Sequence, residues 1–235
     1  MSKNRFLIIA GDSSIGKKLV DHFKKKKIIF YYTTRNKKNR DKNHFYLDIQ
    51  NKINKKIFEL NFDILIYCVG ITSIEDCENN KSLSRKINIK MTKIFLSNFK
   101  NKKKKIVYFS SNKNLNVSKL EYFKQKLEIE KFLVKNFPNQ YLVLKLGKII
   151  SNDMHLFKKW KKEIKDEKKI TVYKDYFFYE TKISELLHFF TNNKNHFKSK
   201  IYKLFSIKKK NYIRIAKLFL KEVNMPSKYI FLTNS

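Results

Sequence analysis

The sequence predicts an α/β fold, a doubly wound parallel sheet with a small C-terminal α+β appendage. Three observations carry this. Short apolar runs alternate with helix-period segments from residue 5 to 146. The run from Phe62 to Val69, FDILIYCV, is almost continuously apolar, as expected of a strand buried on both faces. Beyond residue 150 the strict alternation ends. The sheet-bearing domain is therefore placed at 1–150 and the appendage, not an independent domain, at 151–235.

The first element is RFLIIAGDSSIG at 5–16: a buried-type strand, a turn of small polar residues between Gly11 and Gly16, and a helix with apolar positions Ile15, Leu19, Val20 and Phe23. Such a corner is Rossmann-like. Glycine lets the backbone approach a pyrophosphate, and the free N–H groups and positive dipole end of the helix attract it. The glycine pattern is incomplete, with Ala10 and Ser14 near positions where glycine is often found. Asp12 sets a carboxylate close to the expected phosphates, which weakens cofactor binding unless it turns away to cap the turn.

A second strand at 28–32 runs into Thr33-Thr34-Arg35. An acidic residue at this strand end binds the ribose hydroxyls of NAD, whereas arginine accommodates a 2′-phosphate, so Arg35, with Thr34 beside it, favours NADP. A third strand, 44–47, is followed by Asp48, which either accepts from the adenine amino group or caps a helix over 50–60. Gly70 ends the 62–69 strand and leaves backbone free to pass close to a bound ring. A long helix is expected over 75–99 with Asn88 inside it, then a strand over 105–109 ending at Ser110-Ser111. A helix over 119–135 and a strand over 141–146 follow. In the appendage, helices are expected at 155–165, 182–190 and 212–223, with strands at 170–173 and 201–205.

Composition narrows the function classes. The net charge is +34, yet arginine occurs only at positions 5, 35, 40, 85 and 214, and alanine only at 10 and 216. Inflated Lys, Asn, Ile, Phe and Tyr are the mark of a coding bias, so the charge reads as a lysine-rich solvated surface rather than a nucleic-acid site. Two cysteines form neither a disulfide framework nor a zinc-spaced cluster, which fits a reducing cytoplasm, and no apolar run approaches the roughly 18 residues of a membrane span.

Reductive chemistry on a carbonyl needs a proton donor beside a hydride donor, and a tyrosine with a nearby lysine supplies one. Tyr122 and Lys126 have one-turn spacing on a helix face. Tyr141 and Lys145 repeat the spacing, but on a strand, where it separates them by more than about 12 Å.

With these motifs in order (AGDSSIG, TTR, YLDI, FDILIYCVGITSIEDCE, KIN, IVYFSSN, EYFKQKLEIEKFL and YLVLKLGKI), the chain resembles extended short-chain dehydrogenases/reductases, in the branch of nucleotide-sugar reductases and epimerases around dTDP-4-dehydrorhamnose reductase. The resemblance implies Ser111, Tyr122 and Lys126 as the catalytic triad. Tyr122 would protonate the sugar oxygen, Lys126 would hold the nicotinamide ribose and depress the tyrosine pKa, and Ser111 would bind the carbonyl. It implies Gly11, Ser13, Ser14, Ile15 and Gly16 as the pyrophosphate cradle, and Asp48, Cys68, Val69 and Gly70 along adenine and ribose. Asn88 matches an asparagine that such proteins place near the cofactor.

Only ten residues separate Ser111 from Tyr122, which implies a trimmed substrate-contacting loop; Asn112 and Lys113 lack the acidic pair of the family's dehydratases. The expected function is NADP-dependent reduction, or epimerisation, of a nucleotide-linked keto sugar in surface polysaccharide biosynthesis, with NAD as the alternative cofactor. A nucleotide sugar is the implied substrate, and a homodimer through the helices of 75–99 and 119–135 the implied assembly. The alternative reading is a catalytically silent NADP-binding protein.

Overall fold

The computed structural model describes residues 4–234 apart from 40, 52, 101, 113–118, 152–153 and 193–196. The chain forms two compact units, 1–145 with 187–203, and 146–186 with 204–235.

The first unit is built on a seven-stranded sheet of order β3-β2-β1-β4-β5-β6-β9. Its strands are β1 (Phe6–Ile9), β2 (Phe30–Thr34), β3 (His44–Tyr46), β4 (Ile64–Tyr67), β5 (Lys105–Ser111), β6 (Tyr141–Leu146) and β9 (Lys200–Leu204). β1 pairs in parallel with both β2 and β4, and β4 with β5. The order reverses between β1 and β4, the switch point at which α/β sheets bind ligands. β1 and β4 are buried at every residue, as their unbroken apolar runs require.

Both faces of this sheet are covered. On one, Phe23 of α1 (Ser14–Lys25) and Phe190 of α8 (Ile183–Asn192) pack around Phe6. On the other, Phe95 of α5 (Thr92–Ser97) and Ile129 and Leu133 of α6 (Glu121–Asn136) are fully buried with Leu7, Leu65 and Ile106. Each such side chain contributes about 1.5–3 kcal/mol by leaving water.

Two expected helices differ. Over 50–60 only a single turn forms, α2 (Lys56–Glu59). Side chains of Asp48 and Asn54 accept from the Gln50 and Lys56 amides at 3.0 Å each, and such local bonds compete with a helix. The helix expected over 75–99 is four pieces: α3 (Ile74–Asn79), α4 (Lys81–Arg85), a π-helical turn (Lys86–Met91) and α5. Asn80 leaves helical geometry and caps α4, its side chain accepting from Leu83 N at 3.0 Å.

The second unit packs α7 (His155–Lys165) and α9 (Tyr212–Glu222) around Trp160, Phe157, Phe219 and Val172. Its strands form two pairs, β7 (Ile170–Tyr173) parallel to β11 (Ile230–Thr233), and β8 (Phe177–Tyr179) antiparallel to β10 (Lys209–Asn211). β8, β10 and β11 are additions to the expected elements; at three or four residues each they are too short to show a period. Among the described residues no helix is long and apolar enough to cross a membrane.

Candidate active site

The turn after β1 is shaped by its own polar groups. Ser13 caps α1, its hydroxyl accepting from Gly16 N at 3.1 Å and donating to Ala10 O at 2.8 Å. The N–H groups of Ser14 and Ile15, at the first two helical positions, have no intrahelical acceptor, and the first turn of α1 carries no acidic residue. A pyrophosphate fits that description. Gly16 is required: a Cβ there would lie 2.1 Å from Ala10 O. Ala10 itself has φ 60°, the left-handed conformation that glycine adopts without strain. Gly11 N donates to Thr33 O at 2.7 Å, tying the turn to β2, and Asp12 is exposed.

At the end of β2, Arg35 is exposed. The Thr34 hydroxyl is engaged with His44 Nε2 at 2.8 Å and accepts from Asn36 N at 3.1 Å, so Thr34 shapes the turn that carries Arg35. Asp48 caps a turn, accepting from Gln50 N and from Asn51 Nδ2 at 3.1 Å.

Beyond β4, Gly70 has φ 151°, and a Cβ there would meet Asn88 Oδ1 at 3.1 Å. Asn88 is buried and grips the next residue by both ends of its amide: Ile71 N donates to Oδ1 at 2.8 Å, and Nδ2 donates to Ile71 O at 2.9 Å. The π-helical turn aims that side chain, as such turns frequently do at functional sites. Asn88 thus holds the Gly70–Ile71 backbone.

Ser111 lies at the end of β5, and Tyr122 and Lys126 in the first turns of α6. The Ser111 hydroxyl neighbours the Tyr122 phenol and lowers its pKa. Lys126 Nζ donates to Phe109 O at 3.0 Å and lies 5.7 Å from the centre of the Tyr122 ring. Burial pushes the Tyr122 phenol up to about 12, against a lowering by Ser111, and pushes Lys126 down to about 8. Burial outweighs the expected depression of the tyrosine by Lys126, and the phenol stays protonated. The Cys68 thiol, half-buried beside Ser13 and Lys126, is pushed up to about 12 by burial. Val69 is half-buried between Cys68 and Gly70. The shortened connection between Ser111 and Tyr122 falls largely on 113–118, outside the described residues, as does Lys113.

Three inward polar residues on α6, Glu121, Gln125 and Glu130, escaped sequence reading. Glu130, 5% exposed, accepts from Ser110 Oγ and pairs with Lys145 Nζ at 3.0 Å. Gln125, 1% exposed, bonds Asn88. Their signal is position: Gln125 and Glu130 share the helical spacing of the apolar stripe of Ile129 and Leu133.

No protein-family model and no curated protein matches the sequence. Solved structures do. The dTDP-4-dehydrorhamnose reductase of Bacillus anthracis, solved with NADP, is 16% identical over 100% of this chain and 86% of its own, with a TM-score of 0.79. The fold is the same. The Helicobacter pylori ADP-L-glycero-D-manno-heptose-6-epimerase (16% identity, 99% of this chain, 86% of that one, TM-score 0.75) and the Thermus thermophilus UDP-glucose 4-epimerase solved with NAD (10%, 98% and 86%, 0.76) share it. The doubly wound, Rossmann-like class expected from the sequence is the class observed.

Proposed function

We propose that this chain is an NADP-dependent oxidoreductase or epimerase acting on a nucleotide-linked keto sugar. The observation that carries the reading is the grouping of the Ser111 hydroxyl, at the end of β5, with the Tyr122 phenol and, one turn on in α6, Lys126. The fold shared with sugar-nucleotide reductases and epimerases supports it.

The residues fit the cofactor. The N–H groups of Ser14 and Ile15 would take its pyrophosphate, Arg35 the 2′-phosphate that favours NADP over NAD, and Gly70–Ile71 would run along its ribose. When bound, the nicotinamide supplies a hydride to the keto carbon. The chain's part is acid catalysis and orientation. Ser111 donates to the carbonyl oxygen and Tyr122 gives that oxygen its phenolic proton. Lys126, held by Phe109 O, sets its ammonium near the ribose and next to the phenol, favouring the phenolate left behind. Acid catalysis of this kind contributes about 10²–10⁴ in rate. Surface polysaccharide synthesis, a cytoplasmic location and a homodimer through helices bearing the exposed Ile94 and Val134 belong to the same proposal. NADPH consumption across a panel of nucleotide-linked keto sugars tests it; cofactor binding without turnover of any of them leaves the catalytically silent reading.

A further inference from the structure

Gln125 has no part in the chemistry above, yet its buried amide is fully used. Its Nε2 donates to Ser84 Oγ at 2.9 Å and to Glu121 Oε1 at 3.1 Å, while its Oε1 accepts from Asn88 Nδ2 at 2.7 Å. Arg85 Nη1 in turn donates to Glu121 Oε1 at 2.6 Å, and Arg85 Nη2 to Glu128 at 2.9 Å. These bonds have a direction. An ionised carboxylate only accepts, so Glu121 obliges Gln125 to present its nitrogen to α6's first turn and its oxygen to Asn88. Asn88 must then direct Nδ2 toward Gln125 and Ile71 O, leaving Oδ1 for Ile71 N.

We propose that Gln125 is a positioning residue: with Glu121 fixing its polarity, it locks the Asn88 amide and through it the Gly70–Ile71 backbone. Resting on the function proposed above, that backbone is the ribose-side wall of the cofactor site. The lock spans α6, the π-helical turn and the strand β4 end, so it fixes the loop against the helix that carries Tyr122 and Lys126 on either side of Gln125. A residue serving only to fill this space would need no amide. An apolar side chain of similar volume replaces a buried polar one at little cost where its partners lose nothing, and here Ser84, Glu121 and Asn88 would each lose a bond.

The test reads the loop and the cofactor separately. Amide hydrogen exchange at Ile71 is measured in the ligand-free protein, and NADPH affinity by calorimetry, for Gln125→Met and for Phe99→Leu, a stability control in the core away from the lock. Gln125→Met is expected to speed Ile71 exchange and raise the NADPH Kd, each about tenfold beyond the control. Gln125→Glu, which faces Glu121 with a second carboxylate, is expected to do the same, and the swap Glu121→Gln with Gln125→Glu to recover most of both, since an amide donor at position 121 then meets the carboxylate at 125 while that carboxylate still accepts from Asn88. That pair decides the matter if Gln125→Met does not fold. Ile71 exchange no faster than in Phe99→Leu, or no recovery in the swap, overturns the proposal. Should Ile71 respond while the wild type binds no NADPH, the lock stands and the proposed function falls.

Discussion

Lys126 Nζ sits 5.7 Å from the centre of the Tyr122 ring and is anchored on the Phe109 carbonyl, not on a carboxylate. Its pKa is therefore left to burial, which lowers it to about 8. A folded-state value below that of the free side chain means that the unfolded chain binds more protons between about 8 and 10.4. In that window this lysine makes ligand-free stability rise with pH.

An anionic cofactor reverses the balance. NADPH binding should raise the Lys126 pKa, so binding takes up protons above about pH 8 and the affinity falls as pH rises toward 10, by at most about tenfold per unit for one proton. Calorimetry in two buffers of different ionisation enthalpy measures the uptake. Lys126→Met should abolish it, whereas equal uptake in that variant would assign the proton elsewhere, such as Lys148, which burial also lowers to about 8.

Gly70→Ala sets a side chain on a backbone with φ 151° and 3.1 Å from Asn88 Oδ1. The expected cost is about 1–3 kcal/mol, or roughly 2–4 °C of Tm for each kcal/mol in a chain of this size. An unchanged Tm would show that the loop yields.

Ala10→Gly should stabilise the protein. Left-handed φ costs alanine about 1–2 kcal/mol, offset in part by the greater entropy of an unfolded glycine, so a gain of up to about 1 kcal/mol is expected in denaturant unfolding. A loss would mean that the Ala10 methyl packs better than the strain costs.

Asp12→Asn should tighten NADPH about threefold to tenfold at low salt, with the gain shrinking as salt rises, because an exposed carboxylate one residue before the cap of α1 opposes the phosphates. Equal affinity at low salt would mean that Asp12 points away from them.

Much of the fold was legible in the sequence because buried parallel strands are unbroken apolar runs; FDILIYCV becomes β4, buried at every residue from Ile64 to Tyr67. The break-up of the 75–99 helix was not legible. It depends on Asn80 as a cap and on a π-helical turn at Asn88, and in a chain this rich in asparagine no single one announces itself. The placement of Tyr122 and Lys126 on one helix after a strand was legible from their spacing. Gln125 and Glu130 were not, since a polar residue among lysines reads as solvent-facing until the strand beneath it is placed.

The most direct test of the account is NADPH consumption with nucleotide-linked keto sugars by the wild type and by Tyr122→Phe, with NADPH Kd measured on both. The account predicts turnover reduced about 10²–10⁴-fold in the variant, with cofactor affinity unchanged within about twofold. Turnover that survives the loss of the Tyr122 hydroxyl undiminished would contradict it.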